Sequence, residues 1–151
     1  MFTVEQLDGT WHGLSQLHLN DWPPGSGDRV FESESSLALH AVASNPVLDG
    51  AYTWSHDNEQ QTGRYMIVVA GNDVEVAWTD TWHMAGQIMH CKGTLTEKGM
   101  VFQGSYGGGD EVWGWRTELR MLAPNVMELH MTNITPSGEE DWAVKAAYSK
   151  Q

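Results

Sequence analysis

"RYMIVVAGNDVEVAWTD", Arg64 to Asp80, is the stretch whose reading decides the fold. Tyr65, Ile67 and Val69 share one parity before Gly71-Asn72, and Val74, Val76 and Trp78 share one parity after it. Side chains in a strand alternate between faces, so a two-residue turn at Gly71-Asn72 predicts a hairpin with Val69 opposite Val74, Ile67 opposite Val76 and Tyr65 opposite Trp78. The same register carries Asp80 and Trp82 to the apolar face.

The pattern repeats outward along the chain. In "MHCKGTLTEKGMVFQGSY", Met89 to Tyr106, a turn over Thr96 to Gly99 pairs Leu95 with Met100 and Gly93 with Phe102, and Met89, Cys91 and Tyr106 share the inner face. In "VWGWRTELRMLAPNVMELHMT", Val112 to Thr132, the inner faces are Trp113, Trp115, Thr117, Leu119 and Met121, answered by Met127, Leu129 and Met131. Pairing Met121 with Met127 sets Arg120 opposite Glu128 and Glu118 opposite His130, and opposite charges across a ladder support that register independently. The last stretch, "DWAVKAAYS" from Asp141, turns Trp142, Val144, Ala146 and Tyr148 inward and Lys145 outward.

About ten such strands, each with one apolar and one polar face, bury their apolar faces together when one sheet closes on itself. The expected fold is therefore all-β, a single antiparallel up-and-down barrel. A two-sheet sandwich is the alternative, but it needs long Greek-key crossovers, and the connections here read as short. The 151 residues have room for one domain, 1–151, and no convincing amphipathic helix longer than two turns interrupts the strands. The loop "NDWPPGSGD", Asn20 to Asp28, is rich in turn formers and could lie over one end.

The net charge of −12 repels phosphate backbones and anionic lipid surfaces, which argues against nucleic acid and membrane as partners. No apolar run approaches the roughly 20 residues of a spanning helix, and "MFTVEQLDGT" lacks the pattern of a signal peptide. A soluble cytoplasmic protein is expected. Cys91, the one cysteine, forms no internal disulfide, and pointing inward among apolar residues it reads as structural.

"LDGTWHG", from Leu7, places Trp11 at the start of the first strand, where an inward indole can plug a barrel end and pack on the last strand around Trp142 and Lys145. This Gly-Thr-Trp opening resembles that of the calycins, the lipocalin and fatty-acid-binding superfamily. More of the chain is similar to one calycin branch, the family called domain of unknown function 1579. The similar segments are "LDGTWHG", "VLDGAYTW", "TGRYMIVV", "WTDTW" with "GQIMHCKGTL", and "SGEEDWAVKAAYSK". The resemblance implies a lipocalin-like barrel with room for an internal cavity, and brings no reaction or ligand. The nitrobindins, another calycin branch, share the opening and carry haem on a C-terminal histidine. Here no Tyr-Pro follows the first strand and the segment from Asp141 holds no histidine, so neither haem nor any other cofactor is expected.

Among ionisable residues Asp80 is the most informative. Set inward between Trp78 and Trp82, its carboxyl would be desolvated and its pKa raised, which would make it a hydrogen-bonding acid or a base. The alternative is a wet Asp80 at the barrel mouth that caps nearby backbone amides. Tyr65, Tyr106 and Tyr148 either present hydroxyls to a ligand or serve as core aromatics. Trp78, Trp82, Trp113, Trp115, Met89, Met127, Leu129 and Met131 give the common face the bulk either to line a cavity or to fill it, and a cavity is preferred. A metal is not expected: His83, His90 and Asp80 are the best set, and parity sends His90 outward. His12 and His18 read as solvent-facing. The glycine-rich "GSYGGGD" reads as a turn, with neither the lysine nor the helix of a phosphate cradle.

Three functions remain open. The preferred one is binding of a small hydrophobic or amphipathic molecule by Trp78, Asp80, Trp82, Trp113, Trp115, Met131, Tyr65, Tyr106 and Tyr148. The second is a cyclase or isomerase in which Asp80 transfers a proton. The third is a filled barrel acting through protein contacts, homodimerisation included.

Overall fold

In the computed structural model, which describes residues 2–41 and 47–151, the strands are β1 (Gly9–Asn20), β2 (Asp28–Ala41), β3 (Val47–His56), β4 (Glu59–Ala70), β5 (Asp73–Asp80), β6 (Met89–Leu95), β7 (Gly99–Gly108), β8 (Glu111–Ala123), β9 (Val126–Ile134) and β10 (Glu140–Lys150). Each pairs antiparallel with its chain neighbour, and β1 pairs with β10 to close the barrel. The fold is thus the up-and-down barrel that the alternation predicts, with ten strands among the described residues. A short 3-10 turn, Val4–Leu7, precedes β1. No helix among the described residues is long and apolar enough to cross a membrane.

The three predicted registers are observed. Val69, Ile67 and Tyr65 face Val74, Val76 and Trp78. Leu95 and Gly93 face Met100 and Phe102. Met121 faces Met127, with Arg120 opposite Glu128 and Glu118 opposite His130. The close ionic contacts of that last pair of strands run along each strand, Arg120 to Glu118 at 3.8 Å and His130 to Glu128 at 3.5 Å, so the four groups share one patch of the outer face.

One half of the interior is solid. Leu7, Trp11, Leu37, Ile67, Val76, Met100, Phe102, Leu119 and Met127 are fully buried there. Each contributes roughly 1.5–3 kcal/mol by leaving water. Trp11 plugs this end as its position suggests, and its Nε1 donates to the Leu7 carbonyl at 2.9 Å. Its neighbour from the last strand is Lys150, whose Nζ lies 5.3 Å from the indole centroid, and not Trp142 or Lys145. The antiparallel pairing of β1 with β10 is the reason, since the start of one meets the end of the other.

Trp142 departs from the predicted parity. A β-bulge between Trp142 and Val144 inserts Ala143, so Ala143 and Val144 are both buried while Trp142 aligns with Thr132 on the outer face. There it stacks on His18, with centroids 4.3 Å apart, and carries the Lys145 ammonium 4.3 Å from its ring. His18 is therefore buried, not solvent-facing, because an aromatic lid from a remote strand covers it. Its Nδ1 lies 2.6 Å from the Trp142 carbonyl and its Nε2 bonds Asp28. Burial works against the imidazolium, but these two bonds and the Asp141 carboxylate outweigh it and raise the His18 pKa above 6.5. His12 is exposed as expected.

Candidate functional site

The barrel ends differ because alternate connections gather at each. The connections at 21–27, 57–58, 81–88, 109–110 and 135–139 share the end opposite Trp11. At this end a cavity of about 790 Å³ opens to solvent at the barrel mouth, bordered by inward residues and also by His18 and Trp142 of the outer face. Its lining includes Trp78, Trp82, Trp113, Trp115, Tyr106, Met84 and Met89. The volume falls within the roughly 300–1,000 Å³ typical of small-molecule pockets. Trp22, in the loop Asn20 to Asp28, stands 63% exposed at the rim. Glu139, Glu140 and Asp141 also border the cavity, so its entrance is acidic.

Asp80 lies behind the lining and gathers five donors. Its Oδ1 accepts from the backbone N–H groups of Trp82 and His83, both at 2.8 Å, and lies 3.3 Å from His83 Nδ1. Its Oδ2 accepts from the Tyr52 hydroxyl at 2.5 Å and from Trp54 Nε1 at 3.2 Å. Tyr52 in turn accepts from Trp78 Nε1 at 3.0 Å. One carboxylate thus orients Tyr52, Trp54, His83 and, through Tyr52, Trp78.

Both sequence readings of Asp80 need correcting. It caps the turn after β5, as the second reading proposed, yet it is 1% exposed. Nor is its pKa raised. Burial pushes the carboxyl up, but the hydrogen bond and charge of His83, with the Tyr52 hydroxyl and the His83 backbone N–H, outweigh burial and hold it at about 2. Such a group carries no proton at neutral pH and is a weak base.

A missing side chain makes this arrangement possible. Tyr52 pairs across the ladder with Gly63, and Gly63 pairs with Asp80. The Tyr52 ring lies over Gly63 to reach the carboxylate, and a Cβ at Gly63 would fall 1.9 Å from Tyr52 Cζ. The glycine is therefore required by close approach rather than by its backbone angles.

Trp78, Trp82, Tyr106, Trp113 and Trp115, all predicted for the site, do border the cavity. Tyr106 donates to Asn133 Oδ1, which also borders it. Met131 is buried in the core, and Tyr65 is buried beside Tyr52, with no hydrogen bond of acceptable geometry to its hydroxyl. Tyr148 bonds Ser35 at 2.7 Å and borders a smaller void of about 20 Å³, enough for one water. Burial is the main cause that raises the pKa of Tyr52, Tyr65, Tyr106 and Tyr148. Cys91 is buried, and desolvation pushes its thiol up to about 11.

The sequence reading missed Tyr52 and Trp54, and took His83 only as a possible metal ligand. The signal for the first two was the parity of "VLDGAYTW", which turns Leu48, Tyr52 and Trp54 inward. His83 stands three residues beyond Asp80 in the turn, and its imidazole lies among the rings of Trp54, Trp78, Trp82 and Trp115 at 4.9–6.3 Å between centroids.

No family model matches the chain, and no curated protein matches it either. Solved structures do. The Rv2717c protein from M. tuberculosis superposes with a TM-score of 0.72 at 15% identity, over 98% of this chain and 94% of that one. The S-type phycobiliprotein lyase CPES from Guillardia theta superposes with a TM-score of 0.59 at 14% identity, over 97% and 89%. At these identities the likeness is one of fold, a closed antiparallel barrel.

Proposed function

We propose that the protein binds a small hydrophobic or amphipathic molecule in the open half of its barrel. The carrying observation is the cavity of about 790 Å³, walled by Trp78, Trp82, Trp113 and Trp115 while the opposite half is packed solid. A barrel with a purely structural role has no use for a large apolar hollow, because each unfilled volume forfeits packing energy. Asp80 acts here by holding the aromatic wall in place rather than by touching the ligand. One of the similar barrels is named a phycobiliprotein lyase, but a shared fold does not transfer an activity, so the reading rests on this chain's own cavity. Placement in the domain of unknown function 1579 family rests on the motifs quoted above, and is part of this proposal.

N-phenyl-1-naphthylamine, a neutral probe that brightens in apolar surroundings, tests the reading. Saturable one-site binding is expected, weakened roughly tenfold by Trp82→Ala or Trp113→Ala, as for the loss of a well-packed aromatic contact. Absence of saturable binding, or binding indifferent to both substitutions, overturns it.

A further inference from the structure

The closing seam of the barrel forks beside the cavity. Pairing of β1 with β10 runs from Trp11 opposite Lys150 to Leu17 opposite Val144 and stops there. Beyond that point β1 stays on β2, as far as Asn20 opposite Asp28, and β10 stays on β9, as far as Glu140 opposite Ile134. The bulge at Ala143 marks the place where the two strands part. The cavity borders unbroken runs on both arms of the fork, Leu17 to Asn20 and Glu139 to Ala143. Consecutive strand residues face opposite sides of a sheet, so a hollow that touches every residue of both runs passes around the strand edges. The fork is therefore a side opening of the cavity.

His18 spans it. On the β10 arm its Nδ1 lies 2.6 Å from the Trp142 carbonyl and 3.4 Å from an Asp141 carboxylate oxygen, and its ring stacks on Trp142. On the β2 arm its Nε2 bonds Asp28. Every partner of the two ring nitrogens is an acceptor, and a neutral imidazole has one N–H, so only the imidazolium donates to both arms at once. The charges around the ring favour that form. Asp28 on β2 and Asp141 on β10 face it, against Lys145, whose ammonium sits on the Trp142 indole. Arg29 on β2 is engaged with the Trp22 carbonyl at 2.8 Å, and Glu140 on β10 is paired with Arg116. The raised pKa of His18 keeps the ring charged through pH 6.5 and releases the proton as the pH passes the folded value.

We propose that the fork between β1 and β10 is a pH-gated side entrance to the cavity, latched by the protonated His18 ring between Asp28 and Trp142. This rests on the binding function proposed above and adds how the ligand is exchanged. Loss of the proton leaves one nitrogen bare against an acceptor, so one arm is let go and the ligand enters and leaves faster at higher pH.

Two substitutions separate the latch from mere packing. Asp28→Asn supplies an amide that accepts from the imidazolium or donates to the neutral ring, so the bridge holds in both states. His18→Phe keeps a ring on Trp142 and makes neither bond. Stopped-flow dissociation of N-phenyl-1-naphthylamine, neutral throughout, should run roughly three- to tenfold faster at pH 9 than at pH 6 in the wild type, the worth of one net hydrogen bond. It should stay slow at both values in Asp28→Asn and be fast at both in His18→Phe, with thermal melts confirming that each variant folds. Should His18→Phe fail to fold, Asp28→Asn carries the test.

A second measurement needs no ligand. With 5-fluorotryptophan incorporated, the fluorine resonance of Trp142, identified by its loss in Trp142→Phe, should show a larger solvent isotope shift at pH 9 than at pH 6 in the wild type and no such change in Asp28→Asn. A wild-type dissociation rate indifferent to pH, or a pH step that survives in either folded variant, overturns the gate while leaving cavity binding intact. An isotope shift indifferent to pH overturns the gate whether or not the probe binds. A responsive isotope shift with no probe retained overturns the binding function and leaves the latch standing.

Discussion

Asp80→Asn removes a charge while keeping the shape of the side chain, and its cost follows from the contacts of Asp80. The carboxyl titrates at about 2 in the fold against 3.8 unperturbed. At about 1.4 kcal/mol for each pH unit, that depression is about 2 kcal/mol of stability at neutral pH. All five partners of the carboxylate are donors, so an amide must turn its NH₂ toward either the Tyr52 and Trp54 donors or the turn amides. This mismatch adds about 1 kcal/mol. A total near 3 kcal/mol lowers the melting temperature by about 6–12 °C in a chain of this size.

The pH dependence tests the cause. A carboxyl with a depressed folded pKa contributes stability that is fully present above 3.8 and is lost as the pH falls toward 2, because between these values the unfolded chain binds the proton first. Urea denaturation of both proteins at pH 7 and then stepwise below pH 4 should show a difference of about 3 kcal/mol that shrinks to about 1 kcal/mol near pH 2. Other carboxylates contribute equally to both proteins and cancel. A melting shift below about 1 °C at pH 7, or a difference constant down to pH 2, would refute the assignment of Asp80 as the charged hub of the wall.

Gly63→Ala places a methyl group where the Tyr52 ring lies, and should cost about 1–3 kcal/mol. In a Tyr52→Phe background the ring is already free of its bond to Asp80, so urea titrations of the double-mutant cycle should show non-additive losses; full additivity would argue against the row Tyr52, Gly63, Asp80. His18 should titrate above 6.5 in imidazole NMR spectra, and Asp28→Asn should lower that value. Since a raised pKa stabilises the fold below 6.5 and its contribution fades as the pH passes the folded value, Asp28→Asn should cost more stability at pH 6 than at pH 8.5. Cys91, buried and held at about 11, should resist a disulfide reagent at pH 8 until denaturant is added; fast reaction in buffer would contradict its burial.

The hairpin registers were legible because each rests on local rules. A short turn sets which residues face each other, and alternation sets which side they show, so Ile67 against Val76 or Met121 against Met127 follows from counting. Trp142 defeated the count. Nothing in "DWAVK" announces the inserted Ala143, and one extra residue reverses the faces of everything before it. The error spread to His18, whose cover comes from 124 residues away. The Tyr52, Gly63, Asp80 row was in principle readable, since it follows from two hairpin registers joined at a glycine.

The sequence by itself determined strand order, pairing and the aromatic character of the inner face, because these follow from spacing along one or two neighbouring strands. Only the tertiary structure decided that one half of the barrel is solid and the other hollow. It alone decided that Asp80 is a dry carboxylate held at about 2 rather than a desolvated acid, and that His83 and Trp115 are left unpaired. The physical reason is common to all three. Packing, desolvation and hydrogen-bond satisfaction each depend on atoms that converge from several strands at once, and no local pattern records the place where they meet.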